Sequence, residues 1–563
     1  MTAVDLIDRP DAMAAPTPDH PRGSPEWERL RRLIYKKAIN LTDRIYYDFR
    51  VMLTDGETVA AAGRLMWRII KPYAPEVLVG PGFGSMPLVY GVAQAALEEG
   101  VNLRILMVRD QRKTHNRKRW VEGERPAPGA AAVIIDDFMA AGSAIPLVDE
   151  ALASEKIDLS IKALALFYDM WNPLGSRQLS VNRFPVAALY RRHDIGLSRD
   201  CFDAKPPTMK GDFPDFISKD PLWVRYSLNE KGEAKRKSAP VIADGAVFAA
   251  DDHARVWRHE IADGSITWRY DSLSDPRKGI VQLMQHVEGS LIFGCYDGTV
   301  TRLDAADGTV QWRRRCGSYI HATPWLDLPN RRLFVNTEQW NDGAPTGRLL
   351  AMDWDTGAIR WAQPHAYWAP CSPAYDAESD IVVAASNDKV TLGVSAADGA
   401  LRWRFEAHGL VRGRPAIADG RVYLATESGR LHCLDAMTGE LHWTRRTGKG
   451  EEHQFLSIVD GCVLVLEGSG HVIAFDQTTG EIRWMTRLRS RGNWGAVAYG
   501  RYQVLLSRDG HLAVLEPAKE RKVWEGAIKG RFLQPPALKD GFLAAAGARL
   551  GLQLFKINPL YAD

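Results

Sequence analysis

The residues best placed to do chemistry are two adjacent acids, Asp136 and Asp137, in the segment Ala131–Ile145, AAVIIDDFMAAGSAI. An apolar, β-branched run delivers them, and a turn of small residues and an apparent helix follow. That is how an α/β strand presents a ligand site at its carboxyl end. A turn without bulky side chains lets backbone N–H groups approach a phosphate, which then rests on a helix N-terminus. Paired acids before such a turn suit the vicinal hydroxyls of a sugar. They would repel the phosphate itself, so the simplest single ligand is a sugar phosphate. The plainer alternative is a buried strand leading into an N-capped helix.

Three further segments share the first 150 residues with this one. Val77–Leu88 reads VLVGPGFGSMPL, Val108–Gly123 reads VRDQRKTHNRKRWVEG, and Leu41–Arg50 reads LTDRIYYDFR. With DDFMAAGSAI they resemble the ordered motifs of type I phosphoribosyltransferases, most of all orotate phosphoribosyltransferase. Leu41–Arg50 is the weaker match, to the segment that contacts base and diphosphate. The resemblance implies a Rossmann-like parallel sheet that binds phosphoribosyl diphosphate (PRPP). It implies that Asp136 and Asp137 hold the ribose 2- and 3-hydroxyls. The turn Ala140, Ala141, Gly142, Ser143 and Ala144 would cradle the 5-phosphate. Gly82, Phe83, Gly84 and Ser85 would pass close to the diphosphate. Arg109, Lys113 and His115 would come from a mobile loop and, with Asp137, form the catalytic set. Mg²⁺ would be held mainly through PRPP oxygens, with no dedicated protein ligands. In the family this loop serves the partner subunit's site, which implies a homodimer. No base-binding residue follows from the match.

The sequence departs from the family at three places. Asp110 stands where a lysine is usual, Asn116 where glycine is usual, and Ala140 where a threonine would donate to the 5-phosphate. Losing one hydroxyl donor to a charged group costs about 1.5–3 kcal/mol. Arg112, Arg117, Lys118 and Arg119 keep the loop basic. Read without the resemblance, that run is a solvated loop or a nucleic-acid patch.

The rest of the chain is organised by a repeat. ADGSITW ends at Trp268, ADGTVQW at Trp312, DTGAIRW at Trp361, ADGALRW at Trp403, MTGELHW at Trp443, TTGEIRW at Trp484 and the degraded AKERKVW at Trp524. Successive tryptophans are 44, 49, 42, 40, 41 and 40 residues apart. A period near 40 with several short strands per unit predicts a β-propeller. In Pro415–Trp443 four strands are separated by DG, SG and TG turns, strong hairpin signals. Gln534–Ile557 supplies three more strands, and Leu222–Tyr226, LWVRY, resembles a closing tryptophan strand. Together they predict an eighth blade that joins the two ends of the ring.

These units resemble the tryptophan-docking repeats of quinoprotein alcohol dehydrogenases and of the outer-membrane assembly lipoprotein. The tryptophans are expected to staple blade to blade rather than to touch a ligand. A quinone enzyme would be expected to carry an adjacent cysteine pair. The six cysteines (Cys201, Cys295, Cys316, Cys371, Cys433, Cys462) are scattered, so a PQQ cofactor is not expected, nor is a zinc site or disulfide framework. Reduced thiols are the expectation.

The remaining composition narrows the partners. With 72 basic and 69 acidic residues the net charge is +3, which disfavours a nucleic-acid or membrane-surface binder. Met1–His20 lacks a basic region followed by an apolar run, so no signal peptide is expected there and the location is expected to be cytoplasmic. No stretch reaches the roughly 18 apolar residues of a membrane span. The expected organisation is a disordered tail over 1–25, a phosphoribosyltransferase-like domain over 26–204, a linker over 205–220 and the propeller over 221–563. The expected function is a PRPP-dependent transferase using a nitrogenous base or related acceptor, its propeller binding a ligand or partner protein. The alternative is a catalytically weak PRPP or nucleotide sensor that regulates a propeller-based interaction protein.

Overall fold

The computed structural model describes residues 20–41, 45–110, 119–139, 144–169, 185–195, 215–225, 228–229, 232–233, 238–251, 254–272, 279–280, 283–341, 343–448, 456–489, 493–547 and 551–561. The protein divides into two compact units. The first contains residues 1–40, 45–206 and 482–487 and the second residues 41–44, 207–481 and 488–563.

The first unit is a mixed, mostly parallel sheet with helices. Its strands are β1 (Val77–Pro81), β2 (Arg104–Val108), β3 (Val121–Glu122), β4 (Ala130–Met139), β5 (Leu159–Asp169) and β6 (Val186–Arg191). The spatial order is β3-β2-β1-β4-β5-β6, parallel throughout except for the short edge strand β3. The near-continuous apolar runs in β1 and β4 follow from burial on both faces. Because β2 lies on one side of β1 and β4 on the other, the strand order reverses between β1 and β4. In open α/β sheets ligands bind outside the carboxyl ends at such a point.

The helices are started by local chemistry. Helix α1 (Pro25–Leu33) has Ser24 as its N-cap and proline in its first turn, and α2 (Gly56–Ile70) has Asp55 accepting from Thr58 N at 3.1 Å. Helix α1 is tied to the β6 edge, since Trp27 Nε1 donates to Leu189 O at 3.0 Å and Tyr190 Oη to Trp27 O at 2.7 Å. Helix α2 crosses α3 (Met86–Glu98) closely enough that a methyl on Gly63 would lie 2.2 Å from the Gly91 carbonyl oxygen. Helix α4 (Ala144–Ser154) follows β4.

The second unit is an eight-bladed propeller, as the repeat predicts, with eight four-stranded antiparallel sheets. Blades one to seven end on the strands carrying Trp268, Trp312, Trp361, Trp403, Trp443, Trp484 and Trp524. The eighth consists of Ala537–Lys539, Phe542–Gly547 and Gly551–Lys556, completed by Trp223–Arg225 from the other end of the repeat region. The pairing is Leu552 with Arg225, Gln553 with Val224 and Leu554 with Trp223. The 49-residue spacing comes from blade three, whose middle strands, Arg332–Asn341 and Ala344–Asp353, form a longer hairpin. Five cysteines of the propeller, Cys295, Cys316, Cys371, Cys433 and Cys462, are free and buried. Burial pushes the Cys316 thiol up to about 11 and Cys371 to about 12, so both are neutral, unreactive packing groups.

The tryptophans do staple the blades, by two contacts each. The indole N–H of Trp223, Trp268, Trp312, Trp361 and Trp403 donates to a carbonyl of the next blade (Ile261, Ala305, Trp354, Ala396 and Ala436) at 2.8–3.1 Å. The ring face of each, and of Trp443, lies against the turn glycine of the next blade. A methyl on Gly264, Gly308, Gly357, Gly399, Gly439 or Gly480 would sit 2.6–2.8 Å from the indole. These glycines thus meet two demands, a positive φ and the absence of a Cβ.

The two demands can be separated. Gly420 has φ 66° and nothing within 4 Å of where a methyl would stand, whereas Gly439 has φ 72° and the Trp403 ring at 2.6 Å. Gly420→Ala is expected to cost only the left-handed penalty, about 1–2 kcal/mol. Gly439→Ala should add an overpacking cost of about 1–3 kcal/mol. Denaturant unfolding of the two variants checks this, and equal destabilisation would refute the stapling role of the glycine.

Candidate active site

Strand β1 runs out at Pro81 into Gly82, Phe83, Gly84 and Ser85, and strand β4 runs out through Asp136 and Asp137. The two strands are neighbours (Val79 is paired with Ile134), so loop and acids meet at the reversal of strand order. A methyl on Gly84 would lie 3.9 Å from Asp137 Oδ2 and 3.6 Å from Arg50 Cδ. Gly82 has φ 69°, which turns the chain sharply out of the strand. Phe83 projects outward, 82% exposed, while Ser85 is fully buried and its hydroxyl donates to Gly82 O at 3.2 Å. What this loop offers a ligand is therefore backbone and an exposed ring, not the serine hydroxyl.

The acids are held in a strained electrostatic state. The backbone N–H of Asp137 donates to Asp136 Oδ1 at 2.9 Å. Burial, reinforced by the neighbouring Asp137 and more weakly by Asp110, holds the Asp136 carboxyl well above the usual carboxylate range. Burial also raises Asp137, although hydrogen bonds and the positive charge of Arg50 oppose the rise. Two half-buried carboxyls side by side are strong acceptors for vicinal hydroxyls, and donors or a cation would relieve their repulsion.

Arg109 sits at the stem of the basic loop. Its Nε is 3.2 Å from Glu122 Oε1 on β3, and its backbone N donates to Trp120 O at 3.0 Å. Trp120 Nε1 donates back to Arg109 O at 2.9 Å, and Glu155 accepts from the backbone N–H of Trp120. This clasp fixes both ends of the loop. Lys113 and His115 fall within it, at 111–118, and lie outside the described residues, as do Ala140, Ala141, Gly142 and Ser143. Ala144 is the first residue of α4. Among the described residues no group of three or more His, Cys, Asp or Glu side chains is arranged to hold a metal ion.

Two participants are not singled out by sequence reasoning. Arg50, on a single helical turn over Phe49–Met52, reaches the acids; it lies in a segment matched only weakly. Glu155 anchors the loop stem from 35 residues away, and no local pattern marks it. Asp110, noted in the sequence only as a departure, has its carboxylate against Gly82, where a methyl would be 2.5 Å from Oδ1.

An α/β unit with a glycine loop facing paired acids across a switch point, followed by an eight-bladed propeller, defines a phosphoribosyltransferase-like module joined to a PQQ-like propeller. A family profile described as "Outer membrane protein assembly factor BamB" matches residues 220–391 and 386–534, more than half of the sequence, and the chain belongs to that family. In its N-terminal region the chain is similar to the orotate phosphoribosyltransferase of Aquifex aeolicus, 28% identical over 130 residues, 21% of this chain and 70% of that enzyme. BamB of Salmonella typhimurium is 24% identical over 222 residues, 37% of this chain and 51% of that protein. The serine/threonine-protein kinase AfsK of Streptomyces griseus is 36% identical over 117 residues, 18% of this chain and 14% of the kinase. The crystal structure of BamB from Moraxella catarrhalis superposes with a TM-score of 0.47 at 19% identity, covering 60% of this chain and 99% of that one. No described helix is long and apolar enough to cross a membrane.

The raised Asp136 has a consequence for stability. The folded state keeps this proton to a higher pH than the unfolded chain, whose aspartates titrate near about 3.9. Between those two values the folded protein binds more protons, so this group's contribution to stability falls as pH rises. Asp136→Asn, which cannot ionise but keeps an oxygen for the Asp137 N–H, is expected to gain on the wild type as pH rises above the ordinary aspartate value of about 3.9. The measurement is the denaturant midpoint of the first unit's transition. A gap independent of pH would contradict the assignment of Asp136 as the high-titrating acid.

Proposed function

We propose that the first unit is a PRPP-dependent phosphoribosyltransferase of the orotate phosphoribosyltransferase type, transferring ribose 5-phosphate to a nitrogenous base or related acceptor with release of diphosphate. The observation that carries this reading is the meeting of Asp136 and Asp137 with the Gly82–Ser85 loop at the carboxyl ends of adjacent parallel strands. The similarity to orotate phosphoribosyltransferases over 70% of the Aquifex enzyme supports it.

In this reading Asp136 and Asp137 accept from the ribose 2- and 3-hydroxyls and fix the sugar. The backbone of 140–144 receives the 5-phosphate at the start of α4. The backbone of Gly82–Ser85 runs beside the diphosphate, with Arg50 next to it. Departure of diphosphate leaves oxocarbenium-like charge on C1, so catalysis rests on cations aimed at the leaving oxygens. Arg109, Lys113 and His115 fill that role, and the Arg109–Trp120 clasp sets where the loop emerges. The oxygen-rich, mutually repelling carboxyl pair fits a hard divalent cation nearby: Mg²⁺, held chiefly by PRPP oxygens, would supply charge neutralisation of the diphosphate. The propeller serves as a platform for a ligand or a partner protein. A homodimer through the first unit and a cytoplasmic location complete the proposal.

A second reading has one observation in its favour. The Asp110 carboxylate rests on Gly82, beside the path assigned to the diphosphate, which suits a module that senses PRPP or nucleotide and turns over slowly.

The test is diphosphate release from PRPP and Mg²⁺ across a panel of pyrimidine and purine bases. Asp136→Asn combined with Asp137→Asn is expected to abolish PRPP binding while circular dichroism stays unchanged. Undiminished PRPP affinity in that double variant would overturn the site. PRPP binding without ribosylation of any base would favour the sensor reading.

A further inference from the structure

The carboxylate of Asp110 lies where the sugar-phosphate reading needs positive charge. Asp110 follows β2, whose last residue, Val108, is paired with Pro81 at the end of β1. That pairing sets residue 110 beside Gly82. A methyl on Gly82 would be 2.5 Å from Asp110 Oδ1 and 3.5 Å from Oδ2, so both oxygens face the start of the glycine loop. The same carboxylate adds to the repulsion felt by Asp136 across the switch point. Asp110, Asp136 and Asp137 therefore surround one end of the site. Against them stand Arg50, 3.3 Å from Asp48, and Arg109, whose Nε is directed at Glu122.

The two ends of a PRPP molecule experience this arrangement differently. In that reading the 5-phosphate belongs to the turn 140–144, which follows Asp136 and Asp137 in the sequence. The 1-diphosphate belongs along Gly82–Ser85, where Asp110 is. A ribonucleoside 5′-monophosphate has the same ribose and 5-phosphate but a base in place of the diphosphate. Resting on the reading of the first unit as a PRPP-type site, we infer that Asp110 is a specificity-determining residue. It weakens binding of the 1-diphosphate and leaves ribonucleoside 5′-monophosphates as the better-held ligands. Like-charge juxtaposition is a recognised way to reject one ligand without improving the other. The Asp110 side chain is exposed, so added salt should screen it and weaken the discrimination.

The experiment is calorimetric titration of the full chain with three probes: PRPP with Mg²⁺, inorganic diphosphate with Mg²⁺, and a panel of ribonucleoside 5′-monophosphates. Wild type, Asp110→Asn and Asp110→Lys are compared. Wild type is expected to bind at least one monophosphate at least ten-fold more tightly than PRPP. Asp110→Asn should tighten PRPP and diphosphate about ten-fold, equivalent to about 1.4 kcal/mol, and Asp110→Lys by more. Monophosphate affinity should stay within about two-fold in both, which also shows that the variants fold. Equal gains for monophosphates and PRPP, or no gain for either, would overturn the inference while binding itself still supports the sugar-phosphate site. If wild type binds none of the probes, and Asp136→Asn with Asp137→Asn changes nothing, the reading of the site as PRPP-type fails, and the inference fails with it.

Discussion

The propeller depends on one contact repeated around the ring, an indole face laid on a glycine that has no side chain to keep it away. Six blade junctions place a tryptophan within 2.6–2.8 Å of where a Cβ would stand. No other residue allows both that approach and the left-handed turn, so the TG and DG dipeptides are fixed twice over. The indole N–H then reaches a carbonyl of the same neighbouring blade. One residue per blade thus supplies packing and hydrogen bonding across the junction. Closure follows from the same unit: Trp223–Arg225 completes blade eight, and Trp223 staples to blade one through Gly264 and Ile261. Where the repeat decays the contact changes. In blade seven Glu520 takes the left-handed position, at φ 52°. At Trp443 the expected acceptor, Gln477 O, is taken by Tyr423 Oη at 3.1 Å.

In the first unit the organising constraint is topological. Because β1 has β2 on one side and β4 on the other, the residues leaving β1 and β4 are forced together with nothing beyond them in the sheet. Any chain in this order makes a crevice there, and this one fills it with acids and glycines. The stem of the basic loop is clamped by Arg109, Trp120, Glu122 and Glu155.

Much of this was legible in the sequence because it rests on local pattern. The tryptophan period gave the blade number, even the eighth, since LWVRY has the same face pattern as the strands it replaces. The acidic strand end was legible because a β-branched run stopped by two acids has few other uses. What escaped was non-local. Arg50 and Glu155 act through contacts to residues 87 and 35 positions away, beside Asp137 and Trp120, and no spacing rule connects them. The orientation of Ser85 is likewise beyond residue type: burial turns its hydroxyl back to Gly82 O. Whether a polar side chain faces ligand or core is decided by the loop's path rather than by its identity.

Buried charge is treated differently at the end of β4 than at the ion pairs of the propeller. In the propeller, Arg332 and Asp251 are buried ions held by opposite charges. Arg332 is held by Asp327 and Asp380, both at 2.6 Å, and lies over the Phe334 and Tyr375 rings. Asp251 is bound by Arg255 at 2.6 Å. Such pairs satisfy each other and ask for nothing further. At the end of β4 the arrangement is reversed. Burial raises both adjacent carboxyls, Asp137 raises Asp136 further, and Asp110 adds a third carboxylate. Like charges left facing each other here carry a cost that packing does not explain. Hydroxyl donors or a cation would relieve that cost, which is the physical ground for proposing a ligand site at these acids.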